Sequence, residues 1–194
     1  MFKELHIEKI GNLLIYLAQK IADPYKTKIL KLLYIIDETS VKETGVPVTW
    51  LEYKAWKYGP VAEDIFESIG NTEKSPFSDF IYAEKVCSNT NQIKAKKDFD
   101  DGEFDLYEMK LINRILDEYG HFSASELVAL LHKEDSFWHK EVSNHQLDLS
   151  FQLQNDRSNH VLELTQLLAN DPIKQFAYKS AFDSLEFQQS LRKN

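Results

Sequence analysis

Apolar residues recur at helical spacing near the start of the chain. Between Ile10 and Ile21 they follow one another at alternating steps of three and one, which predicts an amphipathic helix. Asp23 and Pro24 come next and predict a second helix, because Asp suits the cap and Pro the first turn. The stripe of that helix consists of Ile29, Leu32, Leu33 and Ile36. We expect the two helices to pack together in the core.

After these helices the pattern changes from helical to extended. Residues 44–47 (Thr-Gly-Val-Pro) predict a turn, and the aromatic-rich, partly alternating residues 50–58 favour a short strand. Pro60 then suits the first position of a helix over residues 61–69.

A hairpin is predicted in the less regular residues that follow. Residues 80–86 and 92–97 have the composition of strands, and the polar residues 88–91 between them suit a turn. We therefore expect a small β element in an otherwise helical chain.

Helix start and stop signals return in the second half. Asp105 with Glu108, and Ser123 with Glu126, are two capping-box sequences, and Gly120 suits the end of the first of these helices.

Three more helical signals follow towards the end of the chain. Asp135 or Ser136 could cap a further turn, and Asp171 with Pro172 begins a last helix that runs to about Leu185. Between them, an amphipathic helix is predicted from Val161, Leu164, Leu167 and Leu168.

Taken together, these patterns predict a mainly α (α+β) fold. The 194 residues fit one domain, and neither a low-complexity linker nor an internal repeat divides them. We expect residues 1–140 to form the domain and residues 141–194 a helical C-terminal extension packed on it.

The net charge of −8 is concentrated in the middle of the chain. Residues 61–140 carry 17 Asp and Glu against nine Lys and Arg. This excess makes nucleic-acid binding unlikely, since such binding depends on neutralising phosphates. It suits a basic protein partner, although acidic surfaces also serve solubility alone.

Composition excludes several classes of protein. The single cysteine, Cys87, excludes an internal disulfide and a cysteine-based zinc site. Neither a secretory signal nor a membrane-spanning run is visible, so we expect a cytoplasmic protein without a membrane anchor. No phosphate loop or hydrolase motif is present among only six glycines, and we expect no cofactor, no metal and no catalytic residue.

Two features leave catalysis open as an alternative. His132 and His139 lie seven residues apart beside carboxylates, which could form an acid–base pair or a metal site. The spacing matches no familiar metal motif, and a structural role for His132 at a helix end is favoured. Cys87 has no histidine near it in sequence, so a plain hairpin residue is favoured over a nucleophile.

Two sets of motifs run in order through residues 8–140. The first comprises Lys-Ile-Leu-Lys-Leu-Leu-Tyr-Ile-Ile-Asp at 28–37, Thr-Gly-Val-Pro-Val-Thr at 44–49 and Tyr-Lys-Ala-Trp-Lys-Tyr-Gly-Pro-Val at 53–61. The second comprises Tyr-Gly at 119–120, Ser-Ala-Ser-Glu-Leu at 123–127, and His132 followed by Trp138. Both sets resemble the Panacea domain, which defines the SocA-like antitoxins of bacterial and phage toxin–antitoxin systems.

The resemblance implies a non-enzymatic antitoxin that neutralises a cognate protein toxin by direct binding. In some members it implies an adaptor that delivers the toxin to a ClpXP-type protease. The C-terminal extension is then expected to help choose the toxin or to build a homodimer face. A DNA-binding autorepressor and a small histidine-dependent hydrolase remain the alternatives.

Candidate binding residues come from the aromatic run and the acidic helix after it. Aromatic side chains with polar ends are enriched at binding hot spots, and carboxylates would attract a basic toxin. Both kinds also suit structural roles. The candidates are Tyr53, Trp56, Tyr58, Pro60, Glu63, Asp64 and Glu67.

Overall fold

The chain is mainly α-helical with two small antiparallel sheets, as the sequence predicts. The computed structural model describes residues 4–87, 90–153 and 155–192. Its helices are α1 (Glu4–Lys20), α2 (Lys26–Thr44), α3 (Glu63–Gly70), α4 (Leu106–Tyr119), α5 (Ala124–Leu131), α6 (Phe137–Asn144), α7 (Leu147–Gln152) and α8 (Pro172–Arg192). Its strands are β1 (Lys54–Trp56), β2 (Gly59–Val61), β3 (Ile81–Cys87) and β4 (Thr90–Ala95). None of these helices has the length and apolar character needed to cross a bilayer.

Helix α2 lies at the centre of the core. Its predicted apolar stripe is fully buried, and so are the polar residues Lys28, Lys31, Asp37 and Ser40 on its other faces. A helix buried on all sides must satisfy such groups internally. The side chains of α2 therefore organise the segments that surround it.

The start of α2 differs from the prediction. Asp23 is not its cap: it has a φ of 51°, and Tyr25 occupies the cap position without a side-chain hydrogen bond. The Pro24 carbonyl accepts a hydrogen bond from the Ile93 N–H at 2.9 Å. The chain is thus extended against β4 here, and the helix begins only at Lys26.

Strands β1 and β2 form a tight hairpin that replaces the predicted helix start at Pro60. Pro60 lies in β2 and pairs with Ala55 of β1, and α3 begins at Glu63 instead. The turn requires Gly59, whose φ is 98°, a conformation that other residues rarely adopt.

The predicted hairpin of β3 and β4 is confirmed. Ile81 pairs with Ala95, and the pairing continues towards the turn with one register shift between Lys85 and Cys87. Residues 88 and 89 of the predicted turn lie outside the described residues.

Both predicted capping boxes are confirmed, because they depend only on residues adjacent in sequence. The Asp105 and Ser123 side chains accept from the Glu108 and Glu126 N–H groups, and each glutamate bonds back to the cap N–H. Of the two residues considered for the next cap, Ser136 takes the position and accepts from the His139 N–H.

The C-terminal residues lie against the same core. Val161 forms a bridge with Lys54, and Leu164–Leu168 form a short 3-10 helix in place of the predicted α-helix. The predicted last helix, α8, begins at Pro172 and continues to Arg192, beyond the predicted end. Hydrogen bonds from the Ala55 N–H to the His160 carbonyl (2.9 Å) and from the Leu162 N–H to the Tyr53 carbonyl (2.7 Å) attach this part of the chain to β1.

Candidate functional site

The carboxylate of Asp37 anchors the segment between α2 and β1. It is fully buried and accepts hydrogen bonds from the Thr49 N–H at 2.8 Å, from the Thr49 hydroxyl and from the Tyr53 hydroxyl at 2.7 Å. Burial raises the pKa of Asp37 to about 6, although these hydrogen bonds oppose the shift. Three of the motif segments, 28–37, 44–49 and 53–61, are therefore joined inside the core.

A buried lysine connects α2 to the Tyr-Gly-Pro-Val hairpin. The Lys31 ammonium donates to the Pro60 carbonyl at 2.9 Å, and burial lowers the pKa of Lys31 to about 7. A Cβ added to Gly59 would lie 3.1 Å from the Lys31 Nζ and 3.9 Å from the His132 Nε2. Glycine is thus required here both for the turn and for the close approach of Lys31.

The second motif set also has internal partners. The Trp138 indole donates to the Trp56 carbonyl at 3.1 Å, and the His132 ring stacks on Trp138 with centroids 3.9 Å apart. Burial, Lys31 and His139 together lower the pKa of His132. The His132 Nε2 is buried and makes no hydrogen bond to the described residues.

Three of the seven candidate binding residues belong to this interior. Tyr53, Trp56 and Pro60 are buried. The Trp56 ring contacts Phe66 at 5.0 Å and the Arg157 guanidinium at 4.5 Å. Packing occupies these side chains, the Tyr53 hydroxyl donates to Asp37, and the buried Trp56 Nε1 has no hydrogen-bond partner among the described residues. Their burial favours structural roles over contact with another protein.

The other four candidates lie nearer the surface. The Tyr58 ring is 55% exposed at the β1–β2 turn. On α3, Glu63 is partly buried and paired with Lys54, while Asp64 and Glu67 are exposed. The acidic part of the predicted site is therefore accessible, and most of the aromatic part is not.

Glu63 and Asp64 border a cleft of about 480 Å³ between α3, β1 and the C-terminal residues. We call it the aromatic–acidic cleft. Its defining residues are the aromatic Trp50, Tyr178 and Phe182 and the carboxylates of Glu52, Glu63, Asp64 and Glu163. Lys54 is the cation that lines it among the described residues, so carboxylates outnumber ammonium groups four to one.

Trp50 holds an unusual backbone conformation in this cleft. Its φ is 56°, which is strained for a bulky residue and persists only where the surroundings enforce it. The Trp50 ring packs against Tyr178 at 5.1 Å and Phe182 at 5.7 Å between centroids. Helix α8 thus holds a strained tryptophan at the edge of the cleft.

Sequence analysis did not find the residues that close this cleft. Glu163, Tyr178 and Phe182 lie a hundred or more residues from Glu63, and no local signal connects them. Trp50 carried a signal, since it begins the aromatic run, but its position beside the acidic helix depends on tertiary packing.

Metal-binding donors meet elsewhere, at Glu141, His145 and His160. The sequence predicted no metal site, and it considered only the pair His132 and His139, which line a separate open groove with Trp138 and Asp148. A usable signal was the i, i+4 spacing of Glu141 and His145 on α6. His160 could not be added from sequence, and the side chain of Cys87 lies outside the described residues.

Comparison with protein families explains why the motifs lie in the core. The family "Antitoxin SocA-like, Panacea domain" matches residues 29–139, which is more than half of the chain. Neither the search of curated proteins nor that of solved structures found a significant match. The matched range contains the Asp37, Lys31 and Trp138 connections, and the chain belongs to the SocA-like antitoxin family that the Panacea domain defines.

Proposed function

We propose that this chain is a non-enzymatic antitoxin that neutralises a cognate protein toxin in the cytoplasm by direct binding. We further propose that the aromatic–acidic cleft receives a basic segment of that toxin. Family membership supports the first statement. The observation that carries the second is the convergence of four carboxylates and three aromatic rings in one cleft.

The motif residues themselves are poor candidates for selecting a toxin. Asp37, Lys31 and Trp138 are buried and hydrogen-bonded within the domain. A protein partner needs accessible area, so selection must use surface outside these residues. The cleft meets this requirement, and residues beyond the family match supply Glu163, Tyr178 and Phe182 to it.

The chemistry of the cleft favours lysine or arginine side chains. Four carboxylates with one ammonium attract a cation. The Trp50, Tyr178 and Phe182 rings offer faces for cation–π contact and apolar surface for the aliphatic part of a long side chain.

Helix α8 offers further contact area on the side opposite the residues that line the cleft. Ile173 and Phe176 are 80% and 72% exposed, and Phe187 and Leu191 are 64% and 60% exposed. They follow one another at nearly helical spacing and form an apolar face. We assign this face to the toxin, in preference to a homodimer. We expect light scattering to show a monomer for the free chain and a 1:1 complex with the toxin.

Neutralisation by occlusion needs only this surface. If the chain delivered the toxin to a ClpXP-type protease, neutralisation would require that protease. The neutralisation assay is therefore repeated in a strain without the protease. We expect protection to remain. A DNA-binding autorepressor would shift its own promoter in a gel assay, and we expect no shift from an acidic protein.

The decisive experiment combines growth and binding. The product of the flanking gene is expressed alone and with this chain, and the pair is then co-purified. We expect toxicity alone, growth together and a stable complex. A harmless neighbour that does not co-purify would refute the antitoxin proposal.

Charge reversal tests the cleft separately. The double variant Glu63→Lys/Asp64→Lys should lose neutralisation, while Glu73→Lys/Asp79→Lys, which changes exposed carboxylates outside the cleft by the same charge, should keep it. Urea unfolding confirms that both variants fold. Equal neutralisation by both would refute the cleft while leaving the antitoxin function intact. The hydrolase alternative predicts that His132→Ala/His139→Ala loses protection, whereas we expect this double variant to protect as the unchanged chain does.

A further inference from the structure

We propose that Glu141, His145 and His160 form a binding site for one divalent transition-metal ion, with Zn²⁺ the best match to their donor set. The site is independent of the cleft and of the antitoxin proposal. It rests on the geometry and burial of the three side chains.

The donor atoms are close enough to share one ion. The His160 Nε2 lies 2.9 Å from the Glu141 Oε2, and the His145 Nε2 lies 3.8 Å from the same oxygen. All three donors fall within 4.8 Å of one another. Ligands at the usual zinc bond lengths are separated by roughly 3.4 Å in a tetrahedral site, so the observed distances bracket the required one.

The donor types also suit zinc. Two imidazoles and one carboxylate leave a fourth position open, as in zinc sites that hold three protein ligands and a water. Calcium and magnesium prefer oxygen donors throughout, so they fit poorly. The His145 side chain is 50% exposed, which gives an ion a route in from solvent.

Burial of the carboxylate favours a cation at this point. The Glu141 side chain is only 4% exposed, and a buried carboxylate is unfavourable unless it is paired. Its observed partners are the two imidazoles and the Gln166 amide, which lies 3.4 Å from the same oxygen. An ion would compensate the charge more fully, and Gln166 would remain as an outer partner that orients the carboxylate.

The position of the site gives the ion a structural consequence. Glu141 lies in the last turn of α6 and His145 directly follows that helix. His160 lies in the C-terminal segment, and its carbonyl accepts from the Ala55 N–H of β1. A bound ion would therefore fasten the C-terminal residues to the family-matched domain. Metal binding should then raise thermal stability, since an ion that binds only the folded chain shifts the folding equilibrium.

The simpler structural reading is an ion pair between Glu141 and its histidines with no metal affinity. Titration of the chelator-treated, tag-free full chain with Zn²⁺ separates the two readings. Co²⁺ serves as a second probe, because its visible absorption reports the ligand set. We expect one ion per chain, a rise in melting temperature, and weaker binding at acid pH as the imidazoles are protonated.

Three single variants locate the site. His145→Ala removes an exposed ligand, and Glu141→Gln keeps the shape of the side chain while removing its charge. Each should weaken Zn²⁺ binding at least about tenfold, because changes even to outer partners have effects of that size. His121→Ala removes an exposed histidine away from the cluster and should bind as the unchanged chain does.

Two results would overturn the proposal. One is the absence of stoichiometric Zn²⁺ binding by the folded chain. The other is binding that survives both His145→Ala and Glu141→Gln, which would show that the ion lies elsewhere, for example at the groove of His132 and His139. The variants need no toxin, so failure here says nothing against the proposed function.

Discussion

Replacing Lys31 by methionine should stabilise the protein at acid and neutral pH. Lys31 is 1% exposed, and its ammonium donates to the Pro60 carbonyl. Methionine has similar length and fills the same space without a charge. The substitution removes a buried charge at the expense of one hydrogen bond.

The size of the effect follows from the pKa of Lys31. A lowering from 10.5 to about 7 corresponds to about 5 kcal/mol against the charged form in the folded chain. Leaving the Pro60 carbonyl without its donor costs about 1–3 kcal/mol. We therefore expect Lys31→Met to be more stable than the unchanged chain by roughly 2–4 kcal/mol at pH 6.

The pH dependence gives a sharper test than the absolute value. Because the folded pKa of Lys31 is lowered, the unfolded chain binds a proton between pH 7 and 10.5 that the folded chain does not. Stability of the unchanged chain should thus rise with pH in this window by up to about 1.4 kcal/mol per unit. The free-energy cost of burying the charged form of Lys31 is complete below pH 7 and absent above pH 10.5. Lys31→Met should lack this rise.

Urea unfolding at pH 6.0, 7.5 and 9.5 measures both quantities. The advantage of Lys31→Met should shrink by roughly 2–3 kcal/mol between pH 7.5 and 9.5. Lys110→Met, which changes an exposed lysine on α4, should run parallel to the unchanged chain. A pH-independent difference between Lys31→Met and the unchanged chain would refute the assignment of a buried ammonium.

Three further predictions concern the hairpin, the buried carboxylate and the toxin complex. Gly59→Ala should lower stability by about 2 kcal/mol, because the φ of Gly59 is 98° and an added Cβ would approach Lys31. Urea unfolding measures the loss, with Gly102→Ala at an exposed turn as the control. Equal unfolding midpoints for the two variants would contradict backbone strain at Gly59. Asp37 has a folded pKa raised to about 6, so the folded chain holds a proton that the unfolded chain releases, and stability should fall by about 3 kcal/mol as pH rises from 3.8 to 6. Asp37→Asn should remove this fall. If urea unfolding at pH 4 and 6.5 gave the same change in stability for Asp37→Asn and the unchanged chain, the raised pKa of Asp37 would be contradicted. Affinity for the toxin should decrease several-fold from low to physiological salt, and calorimetry showing no salt dependence would exclude a basic segment in the acidic cleft.

Local signals predicted the parts of the fold that depend on neighbouring residues. The boxes at Asp105 and Ser123 and the start of α8 are examples, since the cap and its partner lie within one helical turn. The helix start predicted at Pro60 was wrong, because pairing with Ala55 and the hydrogen bond from the distant Lys31 fix the position of Pro60. Residues 161–168 failed as a helix for the same reason, since backbone pairing with β1 outweighed their apolar spacing.

The candidate site was less predictable than the fold. Sequence indicated an acidic patch at Glu63 and Asp64, and the structure places both at a cleft. Their partners Glu163 and Tyr178 come from the other end of the chain, and His160 reaches Glu141 only through the attachment to β1. Such convergence has no periodic signature, so only the folded chain reveals it.

The attachment of residues 155–162 to β1 also shields a sheet edge. The Ala55 and Lys57 N–H groups, which donate to the His160 and Asp156 carbonyls, would otherwise be open to a strand from another molecule. A fragment cut to the family-matched range, 29–139, would lose this cover. It should therefore leave these N–H groups open to other copies, whereas the intact chain covers them with its own C-terminal segment.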